Sequence, residues 1–152
     1  MEKESEELVN LLNSIVDTPN GIDAVFVYDL KNGFLHYSSS TNKGRDSTLV
    51  EKLSGKSGSG SETLSHMDIF GEVRKEMDVF GNETGHDALK SIILQFEKGI
   101  VFLYVYFPKK DAPTAIGFVN TKNKGDTLGR MVYFCETNID NVKEKLKPLL
   151  EL

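Results

Sequence analysis

The sequence is poor in the features that mark export and membrane insertion. It contains one cysteine and no tryptophan in 152 residues, and its longest apolar run is eight residues. A lone cysteine, Cys135, cannot form an internal disulfide, which is typical of a reducing compartment. The apolar run is too short to span a bilayer, and the acidic N-terminus lacks the apolar core of a signal peptide. These absences predict a cytoplasmic protein without direct membrane insertion.

Positive charge is also scarce. The chain has 18 Lys and Arg against 23 Asp and Glu, a formal net charge of −5. Because contacts with phosphates need clustered Lys and Arg, this balance argues against a nucleic-acid partner. A chain of this length buries enough surface for a core of its own, so we expect a single domain over residues 1–152.

No arrangement typical of a catalytic or cofactor site is present. Gly55-Lys56-Ser57 matches the end of a phosphate-binding loop, but Val50 stands where its first glycine belongs. The three histidines, His36, His66 and His86, lack the short spacings of a metal site. We therefore expect no catalytic residue, no metal and no cofactor. An enzyme would require His36 and His86 to meet in a cleft.

The segment from 89 to 119 holds the densest apolar runs and predicts three strands of an antiparallel meander. Ile, Val, Phe and Tyr dominate residues 89–96, 100–107 and 114–119. Gly99 is expected to supply a positive backbone angle for the first turn. The middle strand is apolar on both alternating faces, which predicts helices above and below the sheet.

The N-terminal third predicts a helix followed by a hairpin. Ser5 is the expected N-cap, and leucines at helical spacing follow it. Residues 24–30 and 34–37 are apolar runs separated by a turn that contains Asn32-Gly33, a strong hairpin signal. After this hairpin, residues 38–67 are rich in Ser, Gly and Lys and predict a flexible insertion.

Two further helices are predicted. The first begins near Asp68 and ends near Gly81, with an apolar stripe formed by Phe70, Val73, Met77 and Phe80. The second runs from about 126 to 150. Residues 131–135 taken alone look like a strand, but the apolar positions from 128 to 149 keep one helical phase throughout.

Together these elements predict an α+β fold, in the order α-β-β-α-β-β-β-α, with a five-stranded antiparallel sheet and helices on both faces. The order resembles the Roadblock/dynein light chain family of MglB-type domains. The opening turn Thr18-Pro19-Asn20-Gly21, the strand that leads to Lys31-Asn32-Gly33, and the final strand followed by Leu128-Gly129-Arg130 carry the resemblance. A profilin/longin-like sandwich is the implied architecture.

The resemblance implies a dimer in which the third strands pair and the second helices lie side by side. The interface residues would be Phe70, Val73, Met77, Phe80, Ser91, Ile93 and Gln95. The helix charges Glu72, Arg74, Lys75 and Glu76 would be polar partner contacts. The same stripe also fits the core of a single subunit, and the same charges fit a solvated helix face.

The function implied by the resemblance is that of a non-catalytic scaffold. Such a homodimer, or heterodimer with a related domain, would bind a small Ras-like GTPase or adaptor proteins. A competing hypothesis is a small-molecule-sensing domain of the profilin or PAS kind, with residues 38–67 as a lid.

Overall fold

The computed structural model describes residues 2–17, 22–40, 66–120 and 127–150. The elements are α1 (Glu2–Asp17), β1 (Ala24–Asp29), β2 (Phe34–Ser40), α2 (His66–Glu83), β3 (Ser91–Phe96), β4 (Gly99–Tyr106), β5 (Thr114–Asn120) and α3 (Thr127–Leu150). Their order and the α+β class confirm the prediction. The C-terminal segment is one helix, as the unbroken helical phase predicted.

The five strands form one antiparallel sheet in the order β2-β1-β5-β4-β3. The first and last strands of the chain pair at its centre, where Ala24 lies opposite Val119 and Phe26 lies opposite Gly117. The Phe26 ring lies over Gly117, in the space that a side chain at this position would fill.

The sheet has a fully packed face and a partly covered face. On the first, α1 and α3 bury their apolar stripes against β1, β4 and β5, because the stripes repeat at helical spacing and the strand residues alternate. On the second, α2 contributes only Met67 and Phe70 to a smaller core with Phe26 and Leu103. Most apolar side chains of α2 therefore lie outside the core.

Three local predictions need correction or qualification. The first helix begins at Glu2, so Ser5 lies within it and is not its N-cap. Gly99 is the first residue of β4, opposite Phe96, and the turn is made by residues 97–98. The positive φ angles of the described residues occur at two other glycines and at Asp87. The predicted insertion at 38–67 lies outside the described residues, except that 38–40 end β2 and 66–67 begin α2.

Candidate interaction surface

Strand β3 lies at an edge of the sheet, as predicted. The Val105 N–H donates to the Lys90 carbonyl at 3.0 Å, so the backbone groups of Lys90 face β4. In an antiparallel strand, the backbone groups of successive residues point alternately toward and away from the partner strand. The backbone groups of Ser91, Ile93 and Gln95 therefore point away from β4. No described strand pairs with them on that side. This edge is open to another strand.

The side chains of β3 fall on the two faces of the sheet. Ile92 packs against the core beneath α2, so Leu94 and Phe96 lie on the α2 face as well. Ile93 is on the opposite face and is 42% exposed, whereas Phe96 is 56% exposed. Apolar side chains are therefore exposed on both sides of the open edge.

The outer surface of α2 carries an apolar stripe with no covering element among the described residues. Val73 and Met77 are exposed, and Phe80 is 59% exposed. Phe70, which the sequence grouped with them, is buried in the core. Ile69 is 50% exposed and belongs to the stripe instead. Its spacing of four from Val73 was the signal that the sequence analysis missed.

The charges of α2 do not all face solvent. Glu72 and Lys75 form an exposed ion pair at 3.5 Å, and Glu76 is exposed. Arg74 was expected at the surface, but its side chain is only 12% exposed and its Nη1 donates to Asp78 Oδ2 at 2.6 Å. Its guanidinium also lies 5.6 Å from the centre of the Phe107 ring. Arg74 is long enough to fold back along the helix, so its position in the sequence did not determine its exposure.

Helix α2 and strand β3 are joined by a short, tightly bonded connection. Asp78 Oδ1 accepts from the Leu89 N–H at 2.6 Å. The Gly81 carbonyl accepts from the His86 and Asp87 N–H groups. A Cβ at Gly81 would overlap the Asp87 carbonyl, so a glycine is required there. The position of the helix relative to the edge strand is therefore fixed by this connection.

At the other edge of the sheet, the β1–β2 turn is organised by a buried carboxylate. Asp29 Oδ1 accepts from the Lys31 and Asn32 N–H groups, each at 2.9 Å. Its Oδ2 lies 3.6 Å from His36 Nε2. Burial lowers the pKa of His36, and the negative charge of Asp29 opposes this effect. His86 has a different partner, the Thr84 hydroxyl.

Two further titratable groups lie in the core beneath α3. Burial raises the pKa of the Cys135 thiol, and Glu136 raises it further. The Tyr104 pKa is raised by burial and by nearby acidic groups, with Cys135 first among them. Both groups are therefore neutral in the folded protein near neutral pH.

Neither a metal-binding cluster nor a membrane-spanning helix occurs in the described part of the chain. Residues 2–17, 22–40, 66–120 and 127–150 contain no group of three or more His, Cys, Asp or Glu side chains placed to hold a metal ion. Among the helices described, none combines the length and the hydropathy needed to cross a bilayer.

A groove of about 750 Å³ lies on the α2 side of the molecule. It is lined by the first half of α2, the β1–β2 turn and the β4–β5 connection. The Leu30 N–H donates to the Pro113 carbonyl at 3.0 Å and holds the two turns together. The volume of the groove falls within the usual range of small-molecule sites, roughly 300 to 1,000 Å³.

No protein-family model matches the sequence, and no curated protein matches it. Solved structures do match it over most of its length. MglB from Myxococcus xanthus is 12% identical, with a TM-score of 0.59 and 95% of each chain covered. An MglB with a tetrameric arrangement is 12% identical, with a TM-score of 0.62, and the match covers 97% of this chain and 93% of that one.

A third structure, the gliding protein MglB from Thermus thermophilus, is 14% identical, with a TM-score of 0.57 and coverage of 97% of this chain and 91% of its own. Identities this low establish a common fold, whereas function must be argued from the surface. The predicted resemblance to MglB-type Roadblock domains is therefore confirmed at the level of the fold: the chain has the fold of the MglB proteins.

Proposed function

We propose that this protein is a non-catalytic, dimeric scaffold that binds a small Ras-like GTPase or adaptor proteins. The observation that carries the proposal is the open β3 edge on a sheet whose α2 face also bears an exposed apolar stripe. An unpaired edge and a large exposed apolar surface are each unfavourable in a monomer, and one protein partner removes both.

In the proposed dimer, two β3 strands pair antiparallel to form one continuous sheet. The outward backbone groups of Ser91, Ile93 and Gln95 supply the hydrogen bonds between the copies. The α2 helices then lie side by side on one face, and Val73, Met77 and Phe80 pack between them, joined by Ile69. Phe70 stays within its own subunit and supports the stripe from below.

The partner surface is formed by the polar side of the paired helices. Glu72, Lys75 and Glu76 are exposed and supply the polar contacts, whereas Arg74 is already bonded to Asp78 and serves to hold the helix. Such a surface acts by stabilising one conformation of the partner's switch loops, which shifts a population without chemistry of its own.

We also propose that the protein acts in the cytoplasm as one domain over residues 1–152, with an insertion at about 38–67. The matched MglB with a tetrameric arrangement is an oligomer of the same fold, which supports self-association here. A heterodimer with a related Roadblock-like domain would use the same edge and helix.

The first test is the solution mass of the wild type and of two interface variants by light scattering. Ile93→Pro removes an N–H that β4 does not use, so it blocks pairing between copies while it preserves the ladder within the subunit. Phe80→Lys places a charge in the helix stripe. We expect a wild-type dimer and a folded monomer for each variant.

The matched control is Tyr133→Lys, because Tyr133 is 74% exposed on α3, on the opposite face of the sheet. This variant should remain a dimer. A wild-type monomer, or a dimer that both interface variants leave intact, would overturn the proposed interface.

The second test addresses the partner. The small Ras-like GTPases of the same genome, loaded with a fluorescent GTP analogue or with fluorescent GDP, are titrated with the protein and followed by fluorescence anisotropy. We expect binding that differs between the two nucleotide states and is weakened by Glu72→Lys. Equal anisotropy with and without the protein for every GTPase would contradict the proposed role.

The groove described above favours a second candidate function, a small-molecule-sensing domain. Residues 41–65 of its proposed lid at 38–67 lie outside the described residues. The groove itself is formed entirely by described residues. A ligand would raise the melting temperature of the isolated protein, whereas a scaffold responds to a protein partner.

A further inference from the structure

The net charge of the groove lining is positive, whereas the net charge of the protein as a whole is negative. The chain carries a formal net charge of −5. The groove is lined by four cationic side chains and three carboxylates; the cations are Lys31, Arg74, Lys75 and Lys110. They come from three separate segments, so their convergence is a product of the fold. Within a half-enclosed cleft, an excess of one sign of charge attracts a ligand of the opposite sign.

Two of these cations are available to a ligand. Lys75 pairs with Glu72, and Arg74 pairs with Asp78, which does not itself line the groove. Lys31 and Lys110 form no ion pair with any described residue. The remaining carboxylates of the lining are those of Asp68 and Asp111.

The groove also has an apolar part that the described residues leave unfilled. Phe107 is 43% exposed, and the Arg74 guanidinium covers one side of its ring. The buried Arg74 Nε has no hydrogen-bond partner in the part of the chain that the structure describes. Gly71 lines the same groove, and a Cβ at this position would meet no atom of the described residues within 4 Å. A glycine inside a helix costs about 1 kcal/mol relative to alanine, and no close contact with a described residue requires one here.

We propose that this groove binds a small organic anion, in which a carboxylate or phosphate group is attached to a planar ring. Lys31 and Lys110 pair with the anionic group. The ring lies against Phe107 and the open surface at Gly71. The site lies within one subunit and does not depend on the dimer, so the two proposals can fail separately.

The probes are phenyl phosphate and benzoate, with benzyl alcohol as a neutral molecule of similar size. Binding to the full chain is measured by titration calorimetry and by amide chemical shifts. For probes of this size we expect a Kd on the order of 1 to 5 mM for the anions. Tighter binding of phenyl phosphate assigns the site to phosphate esters, and tighter binding of benzoate assigns it to carboxylates. Benzyl alcohol should bind at least about fivefold more weakly.

Two variants locate the binding. Gly71→Leu fills the groove and should abolish binding, whereas Lys110→Gln should weaken it about threefold or more. The matched control is Gly129→Leu, because Gly129 is also a helical glycine with open space around it, but it lies on α3. This control should bind like the wild type.

The proposal is overturned by any of three results. The first is no binding of either anion up to about 50 mM, tenfold above the upper end of the expected Kd range. The second is an affinity for benzyl alcohol equal to that for the anions. The third is an equal loss of anion binding in Gly129→Leu and Gly71→Leu. If circular dichroism shows that Gly71→Leu is unfolded, the double variant Lys31→Gln/Lys110→Gln decides the matter. Unchanged affinity in that variant contradicts the site.

Discussion

The Asp78 carboxylate accepts a hydrogen bond from the Leu89 backbone N–H at 2.6 Å, eleven positions further along the chain. Its second oxygen accepts from Arg74 Nη1 at the same distance. One side chain therefore holds α2 to Leu89, two positions before the edge strand. The exposed helix stripe and the open edge keep a fixed relative position because of this carboxylate.

Replacement of Asp78 should be costly. Asp78→Ala removes both hydrogen bonds and leaves the largely buried Arg74 guanidinium unpaired, so we expect a loss of about 2 to 3 kcal/mol in the free energy of unfolding. Urea denaturation measures it. Glu76→Ala, on the exposed side of the same helix, should change stability by less than about 0.5 kcal/mol. Equal effects of the two changes would mean that Asp78 does not hold the helix.

The sequence predicted the elements well where a pattern continued over many residues. Strand β4 was recognised because its eight residues are apolar on both faces, and α3 because its phase survived a strand-like stretch. The predicted N-cap of α1 and the predicted place of Gly99 in the turn were wrong, because such boundaries depend on a few weak local preferences.

The candidate surface was only partly predictable. A stripe of apolar residues shows that a helix face is apolar, but not which of its residues the sheet covers. The prediction therefore grouped the buried Phe70 with exposed residues and left out the exposed Ile69. The residues that line the groove could not be predicted. Its lining joins Lys31 to Lys110, and only the central pairing of β1 with β5 brings these two turns together.

Gly117 should tolerate no side chain. In Gly117→Ala, the new methyl group overlaps the Phe26 ring inside the sheet, so we expect destabilisation by about 3 kcal/mol from overpacking. Thermal and urea unfolding report it. In contrast, Gly71→Ala adds a methyl group to open space within a helix and should stabilise the protein by up to about 1 kcal/mol. A neutral Gly117→Ala would show that β1 and β5 can move apart at no cost.

Stability should fall in mild acid because of His36. Burial lowers the pKa of His36 in the folded protein, so the unfolded chain takes up the proton more readily. The stabilising contribution is complete above the unfolded pKa of about 6.5 and is lost as the pH falls below it. We expect the urea midpoint to drop between about pH 7.5 and pH 5.5, and to drop less in His36→Gln.

The control for this experiment is His86→Gln, which leaves the His36 and Asp29 pair intact. It should keep the pH dependence of the wild type. An identical midpoint shift in wild type and His36→Gln would assign the acid sensitivity to other groups.

Cys135 should be unreactive in the folded protein. Its side chain is fully buried and its pKa is raised, so both access and the thiolate fraction are low. We expect iodoacetamide at about pH 8 to label the folded protein at least a hundredfold more slowly than the urea-unfolded chain. Mass spectrometry follows the reaction. Rapid labelling of the folded protein would indicate that α3 opens frequently.

The pairing of β1 with β5 has a consequence for the newly made protein. At the centre of the sheet Ala24 lies opposite Val119, so β1 can pair with β5 only after most of the chain has been synthesised. Until then, the β1–β2 hairpin has one unpaired apolar side and depends on the ribosome and chaperones for protection. The last strand to leave the ribosome is thus the one that closes the sheet.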